Sequence, residues 1–372
     1  MDDISTMLRD SAADFLASRH DLARLKGAIG EPRALDRKLW REMAELGWLG
    51  LGLSQQFGGD EIGLREVTVL CEQFGRTAFA LPYIEASLIP ALILSATTLA
   101  DLTQSLAEKL QSGTALLTLA WQEQVGEFEN KLPTTHFDGA AINGKKLFVA
   151  AVEADSVLLV TARAHDELTI VAVAANAPGV SWRDFAAGQG TVSTVSFENS
   201  PILGSAPLLT GVAAQHALQR ALDAGRIALS AQLSGLASAM LERTIKFVNE
   251  RVQFARPIGS FQTIRHRCVD LYIATQLAGA TWRDALAVFE KNNAQEIAIA
   301  ASAAKARCAD TAQRVAREAI QMHGAMGFTE EADIGLFARA SLQGYAALGS
   351  PLQHRRRFLQ GQTVAMQELA YG

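Results

Sequence analysis

The chain changes its hydrophobic period twice, and this limits the folds open to it more than any single motif does. Up to about residue 112 the apolar positions recur as they do on helices. "RALDRKLWREMAELGWLGL" sets Leu35, Leu39, Met43 and Leu46 on one predicted face. "LREVTVLCEQFGR" repeats the pattern, and Gly75 is the expected stop. Between them "GLGLSQQFGGDEIG" reads as a glycine-rich loop. From Thr114 the segments "TALLTLAWQ", "AAINGKKLFVAA", "SVLLVTAR", "LTIVAVAA" and "TVSTVSF" are short, β-branched and separated by turn residues. Asn143-Gly144 predicts a hairpin turn between two of these runs. From about residue 205 the helical period returns and stays, through "HALQRALDAGRIALSAQLSGLASAMLERTIKFVNE" and two further long amphipathic stretches, with Gly324 as the natural cap of the last. The order α, β, long α lacks the βαβ alternation of a doubly wound nucleotide fold. The expectation is an α+β multidomain chain: helical over 1–113, strand-rich over 114–208, and an antiparallel helical bundle over 209–372.

Charge and composition narrow the partners. The 34 basic and 39 acidic residues give a net charge of -5, which offers no electrostatic case for nucleic acid. "MDDISTMLRDSAADF" lacks the basic and apolar regions of a signal peptide. "YIEASLIPALILSATTLA" is the nearest approach to a spanning segment, but Glu85, Pro90 and its hydroxyl residues make it a buried helix. Cys71, Cys268 and Cys308 are odd in number, far apart and set in helical patterns; they read as buried thiols of a cytoplasmic protein. The seven histidines show no ligand spacing, so no metal is expected.

"GAAINGKK" has the GxxxxGK spacing of a phosphate loop, but Lys146 follows in place of Ser or Thr and the segment lies between strands. "GLGLSQ" lacks the third glycine and the strand of a dinucleotide fingerprint. Two other segments carry more chemistry. In "ERVQFARPIGSFQTIRHRCVDL" a helix ends, a turn follows, and a new helix starts with Ser260 as expected N-cap. Arg251, Gln253, Phe254, Arg256 and Gln262 offer cations and amides beside an aromatic, which suits a ligand with a phosphate and a flat ring. A plain inter-helix turn with solvated arginines explains the same residues. "QMHGAMGFTEE" ends a helix with Gln321 and His323 before Gly324 and Gly327; its glycines allow close backbone approach, or simply stop the helix. Glu330, Glu331 and Asp333 read as a charged helix start.

In this order, "QQFGGDEIG", "INGKKLFVA", "LDAGRIALSAQLSG", "ERVQFARPIGSFQ" and "QMHGAMGFTEE" resemble the acyl-CoA dehydrogenase flavoproteins over the whole chain. The resemblance implies a helical N-terminal domain, a middle β-barrel domain, a C-terminal four-helix bundle, and a tetramer that binds FAD with help from a neighbouring subunit. It places Arg251 at the FAD diphosphate, with Phe254, Ile258, Phe261 and Gln262 along the nucleotide portion. Gln321 and Gly324 match the loop that reaches the diphosphate across the subunit interface. The family's flavin-facing Trp-Ile-Thr is Phe148-Val149-Ala150 here, so one hydroxyl is lost, and "WQEQVGEFEN" stands where the loop touching flavin and acyl-CoA lacks its Gly-Ser-Asp. Ser350 matches a threonine whose hydroxyl faces the flavin.

The resemblance also exposes a gap. The family's reaction needs a carboxylate that removes the α-proton on the side of the substrate opposite the ring. Its usual position falls on Leu348 in "YAALGSPLQHRR", and the alternative on Gly225 in "LDAGR", followed by the usual arginine, Arg226. Both are empty. Asp223, about 200° around the helix from Gly225, is the remaining acid, suited to contact substrate amides or to cap the helix. The sequence therefore reads as a subunit for FAD-dependent α,β-dehydrogenation of an acyl-CoA thioester, paired in a homo- or hetero-tetramer with a related dehydrogenase chain that supplies the base. "SPLQHRRR" resembles the branch acting on steroid and bile-acid side chains. The alternatives are a self-sufficient dehydrogenase using Asp223, a flavin monooxygenase on the same fold, and a non-catalytic scaffold.

Overall fold

The structure is a computed structural model, and it describes residues 3–19, 22, 34–59, 63–128, 131–188, 190–329 and 332–371, with side chains as far as 363. Glu330 and Glu331 lie outside the described residues. The first helices are α1 (Asp3–Arg19), α2 (Arg37–Glu45), α3 (Leu64–Arg76), α4 (Ile89–Ser95) and α5 (Asp101–Gln111). Eight strands follow: β1 (Leu117–Ala120), β2 (His136–Phe137), β3 (Ala141–Ala150), β4 (Val157–Ala164), β5 (Glu167–Ala174), β6 (Val180–Ala187), β7 (Gly190–Pro201) and β8 (Leu209–Thr210). Then come α6 (Gly211–Glu250), the short β9 (Val252–Gln253) and β10 (Arg256–Pro257), α7 (Gln262–Glu290), α8 (Ala294–His323), α9 (Ile334–Ala346) and α10 (Pro351–Tyr371). Helices thus flank a strand-rich middle, as the change of period predicted. The chain divides into two compact units, Gly30–Val67 with Leu81–Gly225, and Met1–Ile29 with Thr68–Ala80 and Arg226–Gly372.

The first unit is built on a mixed sheet whose strands run β6-β7-β3-β2-β4-β5-β8, with β1 parallel to β4. Ile142, Val149, Leu158, Val160, Val171, Val173 and Val195 fill its core, each fully buried. Asn143-Gly144 makes no hairpin. Both lie inside β3, which runs unbroken alongside β7 with a register shift between Ile142 and Gly144. Asn143 Oδ1 accepts from the amide of Asn199, and the missing Cβ of Gly144 leaves room for Thr135, whose Oγ1 would lie 2.5 Å from it. The pair makes a bulge, the other use of glycine in a strand. In α2, Asp36 caps the helix by accepting from Leu39 N at 3.1 Å. The buried face is Trp40 and Met43; Leu35 precedes the helix and Leu46 is exposed, because α2 is shorter than its apolar pattern. "YIEASLIPALIL" is buried as expected, as a π-helical turn (Ile84–Leu88) leading into α4.

The second unit is helical. Gly75 does not stop α3: the helix continues to Arg76, and Ala78 takes the left-handed conformation that ends it. Gly75 instead marks a helix crossing. A Cβ there would lie 1.9 Å from Gln232 O, and one on Gly235 would lie 2.1 Å from Glu72 O, so α3 and α6 meet backbone to backbone. Ion pairs Arg76–Glu242 (2.7 Å) and Arg283–Glu72 (3.0 Å) flank the crossing. Ser260 is not an N-cap either. It closes a 3-10 turn (Ile258–Ser260) that delays α7 to Gln262. Cys71 and Cys308 are buried free thiols, while Cys268 is half-buried.

Candidate active site

The uncharged turn between α9 and α10 is held by side chains from three helices. Leu348 (φ 55) and Gly349 (φ 106) turn the chain in the left-handed region. Ser350 and Gln353 then form a reciprocal capping box: Ser350 N and Oγ both reach Gln353 Oε1 at 2.8 and 2.9 Å, and Gln353 N reaches Ser350 Oγ. Three buried basic side chains from three helices converge on the turn's carbonyls. Arg226 Nε (α6) donates to Leu348 O at 3.3 Å, and His354 Nε2 (α10) donates to the same oxygen at 3.0 Å. Lys305 Nζ (α8) donates to Tyr345 O at 3.3 Å and Gly349 O at 3.0 Å. All three are at most 1% exposed. Burial pushes Lys305 down to about 7, with Arg226 adding to the effect. Burial, then Arg226 and Lys305, hold His354 down at about 2, so its ring is neutral and donates through Nε2. Cys308, one turn along α8 from Lys305, is pushed up to about 12 by burial. The side chain of residue 348 itself is a half-buried leucine. Residue 348 offers no proton acceptor.

The ends of α6 and α8 bring the two glycine- and arginine-bearing segments together. Phe247 in the last turn of α6 stacks on His323 at the end of α8, with ring centroids 4.2 Å apart. Beyond Phe247 the β9–β10 hairpin reverses at Phe254 and Ala255, both with positive φ. Phe254 is 86% exposed. Arg256 lies over the Phe261 ring at 4.0 Å, and Phe254 meets that ring edge-on. Arg251 and Gln262 are exposed, and Ile258 is half-buried. Beyond His323, Gly324 caps α8 with φ 61 and open space where a Cβ would stand, and Gln321 is exposed. A bare phenylalanine at a strained hairpin tip, with guanidinium groups and an open glycine cap nearby, has the donor set and apolar face that a diphosphate joined to a flat ring needs. The residues fit FAD.

In the sheet unit, β3 shifts register again between Lys146 and Val149, and Phe148 (φ 56) stands half exposed at that bulge. Ala150 is buried. Lys146 points inward and is fully buried, paired with Glu123 at 2.7 Å. Asp223 is 1% exposed and accepts from Gln219 Nε2 at 2.7 Å. It lies deep inside α6, whose start is Gly211, so it caps no helix terminus. Asp333 stands at the start of α9 and pairs with Arg243 at 3.5 Å.

Lys305, His354, Gln353, Lys146 and Glu123 escaped the sequence reading. Their signals were present but ordinary: a lone lysine in "AASAAKARCAD", a Ser-x-x-Gln cap in "SPLQ", and a histidine at the head of what reads as a solvated basic run. Among the described residues, no helix is long and apolar enough to cross a membrane, and no cluster of three His, Cys, Asp or Glu could hold a metal ion.

Residues 2–112 match the acyl-CoA dehydrogenase N-terminal domain, and residues 215–357 the acyl-CoA dehydrogenase C-terminal domain. The chain is 28% identical to acyl-CoA dehydrogenase IpdE2 of Mycobacterium tuberculosis, over 94% of this chain and 95% of that one. It is 30% identical to benzylmalonyl-CoA dehydrogenase of Aromatoleum aromaticum, over 74% of this chain and 75% of that one. Among solved structures, a variant of the Tcur3481-Tcur3483 steroid ACAD is similar with a TM-score of 0.85 at 26% identity, covering 98% of this chain and 99% of that chain. The chain belongs to the acyl-CoA dehydrogenase family of FAD-binding oxidoreductases.

Proposed function

We propose that this chain is one subunit of a two-component acyl-CoA dehydrogenase, and that a related chain supplies the carboxylate for α-proton removal. One observation carries the reading: the turn at 345–350 is fully locked, yet Leu348 occupies the base position and Gly225 the alternative. A chain that had simply lost its function would have no reason to keep three buried basic groups aimed at that turn. The likeness to a steroid ACAD named for two chains supports both the pairing and a substrate carrying a steroid-type side chain.

In this reading Arg251 meets the FAD diphosphate, and Phe254, Ile258, Phe261 and Gln262 line the nucleotide. Gln321 and Gly324 reach the cofactor of a neighbouring subunit, and Phe148 flanks the ring. When bound, FAD supplies the acceptor for the β-hydride. Arg226 holds the turn and, with Asp223, borders the substrate. The Ser350 hydroxyl, engaged by Gln353, serves the cap before it serves the flavin. The barrel closure of the sheet, the four-helix form of the bundle, the boundaries at 113 and 208, and a cytoplasmic location belong to the same proposal.

Coexpression with a second dehydrogenase-like chain tests it. The expected result is a yellow hetero-oligomer that oxidises an acyl-CoA, with neither chain active alone. A homotetramer of this chain with robust dehydrogenase activity overturns it.

A further inference from the structure

Lys146 and Glu123 form a buried ion pair in the sheet unit. Glu123 belongs to the loop after β1 and accepts from Lys146 Nζ at 2.7 Å, Thr134 N and Oγ1 at 2.6 Å each, and Thr135 N at 2.9 Å. Lys146 also reaches Thr161 Oγ1 on β4 at 3.0 Å and Trp121 O at 3.4 Å. The Lys146 side chain is fully buried, and that of Glu123 is 8% exposed. Glu127 is the other charge facing Lys146. It accepts from Glu123 N, while its backbone carbonyl takes the Gln122 side chain at 2.8 Å. One bond ties this loop to the bulge: Leu147 N donates to Gln122 O at 2.7 Å. The next residue is Phe148, in the left-handed region and half exposed. A single buried ion pair thus joins the 121–128 loop, the 134–135 segment and the bulge that presents Phe148.

We infer that Lys146 and Glu123 are positioning residues that hold the 121–128 loop and the Phe148 bulge in the arrangement that receives the flavin. The inference rests on the reading that this chain binds FAD through Phe148. Desolvation alone would expel a lone ammonium from this site; the pair keeps Lys146 charged near neutrality, because its pKa is lowered only to about 8. Glu123 is held at about 2, where Lys146 and the two threonines outweigh its own burial.

The test compares full-length wild type, K146M, and the double variant K146M/E123Q. K146M strands a buried carboxylate and is expected to melt lower. The double variant removes both charges at nearly constant volume and is expected to recover the wild-type melting temperature. Hydrogen exchange in the FAD-free protein reads the loop directly. The amides of Thr134 and Thr135 are expected to exchange about tenfold faster or more in the double variant, since a charged acceptor has been lost. FAD titration, with the partner chain present if wild type needs it, is expected to show affinity weakened about tenfold and a shifted flavin band. A double variant with wild-type melting, exchange and FAD affinity overturns the positioning role. If exchange accelerates but wild type itself takes up no FAD with or without partner, the FAD reading falls, and the inference falls with it.

Discussion

Replacing Lys305 with methionine isolates the energetics of the anchored turn. In the folded chain burial lowers the lysine to about 7; unfolded, it titrates near the ordinary lysine value of about 10.4. Between these values the unfolded chain binds a proton that the folded chain does not, so stability rises with pH across that window. Each pH unit of full proton difference is worth about 1.4 kcal/mol. From pH 7.5 to 9.5 the difference is nearly one proton, which gives about 2 kcal/mol of added stability in wild type that the variant lacks. Methionine keeps the volume. The two carbonyls that lose their donor, Tyr345 O and Gly349 O, cost about 1–3 kcal/mol each, an offset that does not change with pH. Lys146 is common to both proteins and cancels, and Cys308, pushed up to about 12 by burial and losing only the lowering influence of Lys305 in the variant, stays protonated in both folded proteins across this window. Equilibrium urea unfolding followed by tryptophan fluorescence at the two pH values gives the slope. Parallel pH dependences for wild type and Lys305→Met would refute a desolvated lysine at the turn.

Three further outcomes follow from the same geometry. His354 is held at about 2, so its stability contribution is complete above about 6.5 and is lost as pH falls; His354→Gln, which can still donate to Leu348 O, should flatten the acid limb by about 1–2 kcal/mol between pH 6.5 and 5 in unfolding titrations. Leu348→Glu restores a carboxylate on an intact turn, and the FAD-loaded variant should bleach its flavin anaerobically with acyl-CoA in the absence of the partner's base; a folded, yellow variant that does not bleach argues that the substrate lies elsewhere. Gly75→Ala forces a methyl to 1.9 Å from Gln232 O and should cost about 3 kcal/mol or more, read as a lowered melting temperature, while alanine at Gly126, which has open space but φ 78, should cost only the backbone strain of about 1 kcal/mol.

The order of helices and strands was legible because periodicity reports burial, and burial dominates element type. Gly75, Asn143-Gly144 and Ser260 each carry a local signal; the first two answer to contacts outside their own segment, the backbone of Gln232 and the side chain of Thr135, and the third to a 3-10 turn formed by its own neighbours. That Leu348 and Gly225 fall at the two base positions is part of the proposal, and it rests on their spacing from recognisable neighbours. What holds the turn could not be read in the sequence. A lysine in an alanine-rich helix and a histidine before three arginines look solvated until the chain folds and leaves Lys305 and His354 with no exposure at all.

The hydrogen bonds that anchor the 345–350 turn all address main-chain atoms or the cap. Shape and reactivity are therefore inherited separately at this position. On the two-component proposal, residue 348 can change its chemistry by one substitution while the turn keeps its anchors.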